Sequence, residues 1–362
     1  MVKTQIFSSP KPCSRIYSLF RGLYFFLLVS LIGGCDRGPE IINISGSTFG
    51  TTYNITVIAD QIAPENLGQL IESKLEGIDH AMSTYRTDSE ITAFNHLRED
   101  VSLNISSQFS EVIQVSKVVW LASDGAFDPT VGPLVDLWGF GVIDTANNIP
   151  DRKDIDRALK NVGFQSVVLQ ADLANPVLSK MSDVRLDLSA VAKGYAVDVI
   201  ADLLEMNALP DYLVEIGGET RVKGFNSQGE PWRLAIESPS TESGISTVIS
   251  LRDGAVATSG DYRNYFEDNG VRYSHTIDPR TGIPITHNLA SVTVISKTCA
   301  EADAWATALM VLGDTRGMSL ANELGLAVYM SVRDGDAFKI SYSKAFGVYL
   351  TSDSEQKLLV GI

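Results

Sequence analysis

The spacing of apolar and polar residues predicts a succession of short strands and four-turn helices. Thr48-Phe-Gly-Thr-Thr-Tyr-Asn-Ile-Thr-Val-Ile58 is rich in β-branched and aromatic residues and predicts a strand. Pro64 opens a helix with Leu67, Leu70, Ile71, Leu75 and Ile78 at helical spacing. After a polar loop at Met82–Asp88, a second helix starts near Ser106 or Ser107. It carries Phe109, Val112, Ile113, Val115 and Val119, and stops before Gly125. Phe164–Leu169 and Val184–Leu188 predict strands, and Ala192–Met206 predicts a helix burying Ala196, Val199, Ile200, Leu203 and Leu204. Strands follow at Tyr212–Ile216, Trp232–Glu237, Thr247–Leu251 and Ala290–Ile295. A helix is predicted over Ala302–Leu312, with closing strands at Leu326–Val332 and Phe346–Thr351. Strands and helices mix without a regular βαβ rhythm or a repeat. The pattern predicts an α+β fold with a largely antiparallel sheet and packed helices.

The first 34 residues follow a different rule. Lys3, Lys11, Arg15 and Arg21 are their only charges, and the ten-residue apolar run Leu23–Ile32 ends at Gly33-Gly34-Cys35. A basic segment, a short apolar run and small residues make an export signal. Ten residues fall short of the ~20 that span a bilayer as a helix. Small residues just before a cysteine resemble a bacterial lipoprotein signal, with Cys35 as the lipidated first residue and Asp36 as the retention signal for the inner membrane. Alternatives are an ordinary cleaved signal peptide and an uncleaved anchor. The expected division is an export signal at 1–34, a tether at 35–46, a catalytic domain at 47–352 and a tail at 353–362. The expected location is the periplasmic face of the bacterial inner membrane.

Removing the four positive charges of the signal takes the formal net charge from −15 to −19. Such a surface repels nucleic acid and anionic headgroups, so membrane attachment would rest on the lipid. Only Cys299 of the three cysteines lies in the body of the chain, which leaves no intrachain disulfide there. A buried thiol explains Cys299 better than a nucleophile.

No P-loop and no G-x-G-x-x-G follows a strand, and the four histidines, His80, His96, His275 and His287, do not cluster with cysteines as in a zinc site. The chemistry concentrates elsewhere. Tyr273-Ser-His-Thr-Ile-Asp-Pro-Arg-Thr-Gly282 puts His275, Asp278 and Arg280 in one loop. Glu301-Ala-Asp-Ala-Trp-Ala-Thr307 puts the Asp303 carboxylate and the Thr307 hydroxyl four residues apart on one helix face. A hard cation takes such oxygens and completes its shell with phosphate and water. Asp187 and Lys193 flank a turn before a helix start, where free N–H groups meet anions. Each feature alone also fits a turn, a cap or a packed core residue.

Taken together, these segments resemble the ApbE family of FAD:protein FMN transferases. The others that carry the resemblance are Phe49-Gly-Thr-Thr-Tyr53, Met82-Ser-Thr-Tyr85, Ala126-Phe-Asp-Pro-Thr-Val-Gly-Pro-Leu134, Leu137-Trp-Gly-Phe-Gly141, Asp187–Tyr195, Glu215-Ile-Gly-Gly218 and Ala257-Thr-Ser-Gly-Asp-Tyr262. The resemblance implies an ApbE-like, T-fold-like catalytic domain. It implies Mg²⁺-dependent transfer of the FMN half of FAD to a threonine or serine hydroxyl of a target protein, with release of AMP. Implied targets are subunits of membrane redox complexes such as the sodium-pumping NADH:quinone reductase. It also implies FAD contacts at Phe49, Tyr85, Ala126, Phe127, Asp128, Asp187, Lys193 and Ile277. The implied metal site comprises Asp303, Thr307 and the main-chain oxygen of Ala190, with Ala306 close by. His275 is the candidate base for the target hydroxyl. If water replaced that hydroxyl, the protein would be an FAD pyrophosphatase; without chemistry, it would be an FAD-binding lipoprotein.

Replacing the expected lipid site tests the anchoring expectation. Cys35→Ser is expected to move the protein from the membrane to the soluble fraction while leaving flavin transfer intact. Persistent membrane attachment would indicate an uncleaved anchor.

Overall fold

The computed structural model describes residues 39–141, 149–171, 175–239, 244–261, 265–268, 271–335 and 337–351. The expected export signal 1–34, Cys35 and the tail 353–362 lie outside them. Among the described residues no helix is long and apolar enough to cross a membrane.

Eight strands of the described chain form one sheet in which neighbours in sequence are neighbours in space. They are β1 (Glu40–Thr48), β2 (Thr51–Ala59), β3 (Asp211–Ile216), β4 (Glu219–Lys223), β5 (Asp253–Gly260), β6 (Leu289–Ser296), β7 (Ala327–Asp334) and β8 (Ala337–Tyr342). Every pairing is antiparallel. The helices are α1 (Leu67–Met82), α2 (Glu90–Asn95), α3 (Ser107–Ala122), α4 (Gly132–Leu137), α5 (Arg152–Leu159), α6 (Ala192–Met206) and α7 (Cys299–Leu324).

The side-chain alternation of the strands divides the core. Ala255, Ala257, Val292, Val294, Val328 and Met330 pack with α1, α3, α6 and α7 into the larger cluster. Val256, Ile295, Ala327 and Tyr329 pack with Trp232, Ile236, Ile249, Leu251 and Phe346 into a second cluster. The partners in that second cluster come mainly from a hairpin of Trp232–Glu237 and Ile245–Leu251. The central strands are therefore covered on both faces, which is why β6 is buried at every position from Leu289 to Ile295, its Ser291 and Thr293 included.

Several sequence expectations change. Residues 40–46, expected within the tether, are most of β1. Ile42 and Ile44 are half-buried and alternate with exposed Asn43 and Ser45, as an edge strand requires. The single strand expected over Thr48–Ile58 is broken at Phe49-Gly50, a two-residue turn with φ of 50° and 72°. Val184–Leu188 forms no strand. The Asn95 amide takes the place of a partner strand, accepting from the Leu186 N–H at 2.7 Å and donating to its carbonyl at 2.9 Å. Val177–Lys180 pairs instead, with Val167–Gln170 and Ser102–Asn104. Phe346–Thr351 is mostly a 3₁₀ turn, Lys344–Tyr349, because Phe346 turns inward against Tyr329.

The helix expected over Ala302–Leu312 extends in both directions and breaks at Gly313, whose φ of 78° and ψ of 175° are non-helical. At the other end it crosses α6 closely. A Cβ at Gly194 would collide with the carbonyl oxygen of Cys299. Gly194→Ala must push the two helices apart, and over-packing of this kind costs about 1–3 kcal/mol. The expected result is a lower urea midpoint with an unchanged slope. An unchanged midpoint would mean that the crossing is loose.

Candidate active site

The ends of α6 and α7 are held together by reciprocal capping. A helix start leaves four N–H groups without intrahelical partners. Asp198, on α6, accepts from the N–H groups of Cys299 and Ala300 at the start of α7, both at 2.9 Å. Asp303, on α7, accepts from the N–H of Gly194 in the first turn of α6 at 3.1 Å. The first turn of α6 has no side-chain cap of its own. Arg221 donates to Asp198 at 2.9 Å, which balances one of the two carboxylates. Cys299 lies between them, fully buried, and burial pushes its thiol well above the ordinary value. It is a packed thiol rather than a nucleophile.

Asp303 has a different balance. It is 4% exposed. Burial raises its pKa, opposed by the nearby Lys193 ammonium and the Gly194 N–H. Lys193 lies 3.9 Å from its Oδ2 and 3.1 Å from Oε1 of Glu219. Burial alone would lower the Lys193 pKa, but the charges of Asp303 and Glu219 outweigh it and hold the ammonium protonated. Glu219 is 5% exposed and its Oε2 has no hydrogen-bond partner. Burial pushes Glu219 from 4.5 up to about 7, with Lys193 acting against the shift and Asp303 adding to it. Two buried carboxyl groups share one ammonium, so ionising both leaves an excess of negative charge.

This cluster forms part of the wall of a cleft of about 1870 Å³. The same wall carries Phe49, Tyr85, Ala126, Phe127, Asp128, Asp187, Ala190, Lys193, His275, Ile277, Asp303 and Thr307. The chain thus brings together almost every site residue expected from sequence, from segments more than 250 positions apart. Ala306 is the exception: it is fully buried in the core and does not line the cleft.

Each side chain has a local reason for its place. Phe49 sits at the tip of the β1–β2 turn. Tyr85 stands on the rim, 78% exposed. Its loop is fixed by Arg86, which donates to Glu76 at 2.8 Å, Asp79 at 3.3 Å and Asp88 at 3.0 Å. Asp128 turns its carboxylate inward, accepting from Thr130 and from the Phe164 N–H at 3.0 Å, so it shapes the Ala126–Asp128 segment from behind. Asp187 accepts from the N–H and hydroxyl of Ser189, so it orders the turn before α6 and does not cap the helix. His275 lies edge-on to Phe140, with ring centres 6.3 Å apart. Arg280 is held against Asp278 by two 2.8 Å bonds and does not line the cleft, so it pins its own loop.

Among the described residues no three His, Cys, Asp or Glu side chains gather as a metal cluster. A cation here must draw on fewer carboxylates. Thr307 Oγ1 lies one helical turn beyond Asp303 and has a single partner, Ser259 Oγ at 3.2 Å. An acid, an alcohol and main-chain oxygen beside uncompensated negative charge suit a hard, phosphate-bound cation.

The family model described as ApbE family matches residues 49–330. The chain belongs to the ApbE family. It is 42% identical to the FAD:protein FMN transferase of Vibrio cholerae over 324 residues, covering 89% of this chain and 96% of that protein. It is 39% identical to the protein of the same name from Salmonella typhimurium, covering 89% of this chain and 95% of the relative. The solved structure of flavin transferase ApbE from Vibrio cholerae superimposes with a TM-score of 0.80 at 41% identity, covering 86% of this chain and all of that one. The ApbE match spans the cleft-forming segments from Phe49 to Thr307.

Glu219 was missed by the sequence reading. It directly follows Glu215-Ile-Gly-Gly218, and the Ile216↔Glu219 register shows that the two glycines form the hairpin turn that aims it inward. Its raised pKa has a testable consequence. A carboxyl that holds its proton more tightly in the fold contributes stability below 4.5 that is lost as pH rises towards about 7. In metal-free protein, Glu219→Gln is therefore expected to gain stability relative to the unaltered chain as pH rises through this window, measured by urea denaturation. A pH-independent difference would contradict the buried-charge reading.

Proposed function

We propose that this chain transfers the FMN half of FAD to a threonine or serine hydroxyl of a target protein and releases AMP. The observation that carries the reading is the convergence of Asp187, Ala190, Lys193, His275, Asp303 and Thr307 on one cleft, in a chain 42% identical to a protein of that activity. The hydroxyl oxygen attacks the flavin-side phosphorus, the bond to the bridging pyrophosphate oxygen breaks, and AMP leaves with that oxygen. His275 takes the proton of the attacking hydroxyl. Asp303, Thr307 and the main-chain oxygen of Ala190 would hold Mg²⁺, which when bound supplies positive charge against the anionic phosphates. Lys193 presents a fixed ammonium to the same anion. Tyr85, exposed on the rim, offers a flat face on which a flavin or adenine ring stacks.

The chain-start pattern supports a finer placement: lipidation at Cys35, attachment to the periplasmic face of the inner membrane, and targets among subunits of membrane redox complexes of the sodium-pumping NADH:quinone reductase type. The lipid would bring the enzyme to such targets without help from its strongly acidic surface.

The experiment combines the enzyme with FAD, Mg²⁺ and a candidate target subunit, then reads flavin fluorescence on the denatured target. Asp303→Ala is expected to abolish labelling. His275→Ala is expected to lower the labelling rate by about 10²–10⁴-fold with little change in FAD affinity. Full activity in Asp303→Ala, or an equal loss of rate and affinity in His275→Ala, would refute these roles. Free FMN and AMP without labelling would mean hydrolysis.

A further inference from the structure

Lys193 is the cation nearest Asp303, and an ammonium that close competes with any metal ion for the same carboxylate. It does not settle on Asp303. Its Nζ lies 3.1 Å from Glu219 Oε1 and 3.9 Å from Asp303 Oδ2. The surroundings enforce the choice. Lys193 belongs to the first turn of α6, so its backbone is fixed by the crossing with α7. The lysine stem passes beside the Gly217-Gly218 turn, where a Cβ at Gly217 would lie 3.4 Å from Lys193 Cδ. Glu219 follows that turn as the first residue of β4, and its backbone is held by pairing with β3. Both carboxylates thus reach the ammonium, Glu219 at 3.1 Å and Asp303 at 3.9 Å.

The remaining acceptors support the same division. Asp303 Oδ2 is already occupied by the Gly194 N–H. Asp303 and Thr307 both face the cleft. Glu219 Oε2 is buried without a partner, although an unpaired buried carboxylate oxygen is costly. A carboxylate retained at that cost, bonded on one oxygen to a lysine and to nothing on the other, serves the lysine. We propose that Glu219 is a positioning residue: it holds the Lys193 ammonium away from Asp303 and thereby keeps the Asp303 carboxylate available to a divalent cation. This inference rests on the metal reading given above.

The physical consequence is a competition. If the charge of Glu219 is removed while its shape is kept, Lys193 has one anionic neighbour left. It closes on Asp303, and a cation must then displace a buried ion pair. Removing the ammonium as well abolishes the competitor.

The test titrates Mg²⁺ by calorimetry into full-length protein free of FAD, because Lys193 also faces the FAD phosphates in the proposed function. Glu219→Gln is expected to weaken Mg²⁺ binding about tenfold, the change produced by roughly one charge interaction at this separation in a partly screened site. Adding Lys193→Met in the Glu219→Gln background is expected to restore most of the affinity, and Lys193→Met alone to bind Mg²⁺ at least as tightly as the unaltered chain. Thermal melts confirm that each variant folds. Unaltered Mg²⁺ affinity in Glu219→Gln, or failure of the second substitution to recover it, overturns the proposal. If Glu219→Gln does not fold, Lys193→Met alone decides, because weaker Mg²⁺ binding in that variant overturns the proposal equally. Asp303→Ala separates this outcome from the underlying reading: undiminished Mg²⁺ binding in that variant removes the metal site itself, whatever Glu219 does.

Discussion

The site depends on two helices that start against each other and cap each other with buried carboxylates. Asp198 covers the first N–H groups of α7, and Asp303 covers one of α6. A cap is worth about 1 kcal/mol, and a charge at a helix start up to ~2 kcal/mol where it is partly buried. Burying a carboxylate costs several kcal/mol unless it is compensated. Capping alone therefore does not pay for two such groups. Asp198 is balanced by Arg221, whereas Asp303 shares Lys193 with Glu219. Of these two buried capping carboxylates, Asp198 has its own cation and Asp303 is left to share one, and Asp303 faces the cleft.

That asymmetry links fold to function. A pair fully neutralised inside the protein would hold the helices together and do little else. A buried excess of negative charge would be relieved by a cation, and in the proposed function that cation would meet the phosphates of the bound dinucleotide. The same group is both a structural cap and a candidate ligand. The close crossing at Gly194 keeps the cap aligned, so packing and chemistry share one constraint. The two-glycine turn before Glu219 does the same for the other side of the ammonium, since its positive-φ residues let β3 and β4 reverse within two positions.

The cleft wall shows a division of labour that residue type alone does not reveal. Asp128 and Arg280 are the sort of side chains that contact phosphate or ribose, yet both are committed to other groups of the protein. Each stiffens a loop whose other atoms border the cleft. Tyr85 stays exposed because the ion pairs of Arg86 anchor its loop from beneath. Rigid support behind an exposed contact is how a loop presents a side chain without the entropy cost of ordering it on binding.

Local sequence determined the helices with strong periodicity, the strands with β-branched runs and the oxygen pair Asp303 and Thr307, because spacing of 3.6 or 2 is a property of the chain itself. It also carried the family resemblance, since the motifs keep their order. Tertiary structure decided the rest. Residues 40–46 became a strand because β2 offered an edge, and Val184–Leu188 did not because an asparagine side chain filled the partner's place. The pairing of Lys193 with Glu219, the inward turn of Asp128 and the cap from Asp303 join groups far apart in the chain. Their energies come from desolvation and charge at distances that no local pattern encodes.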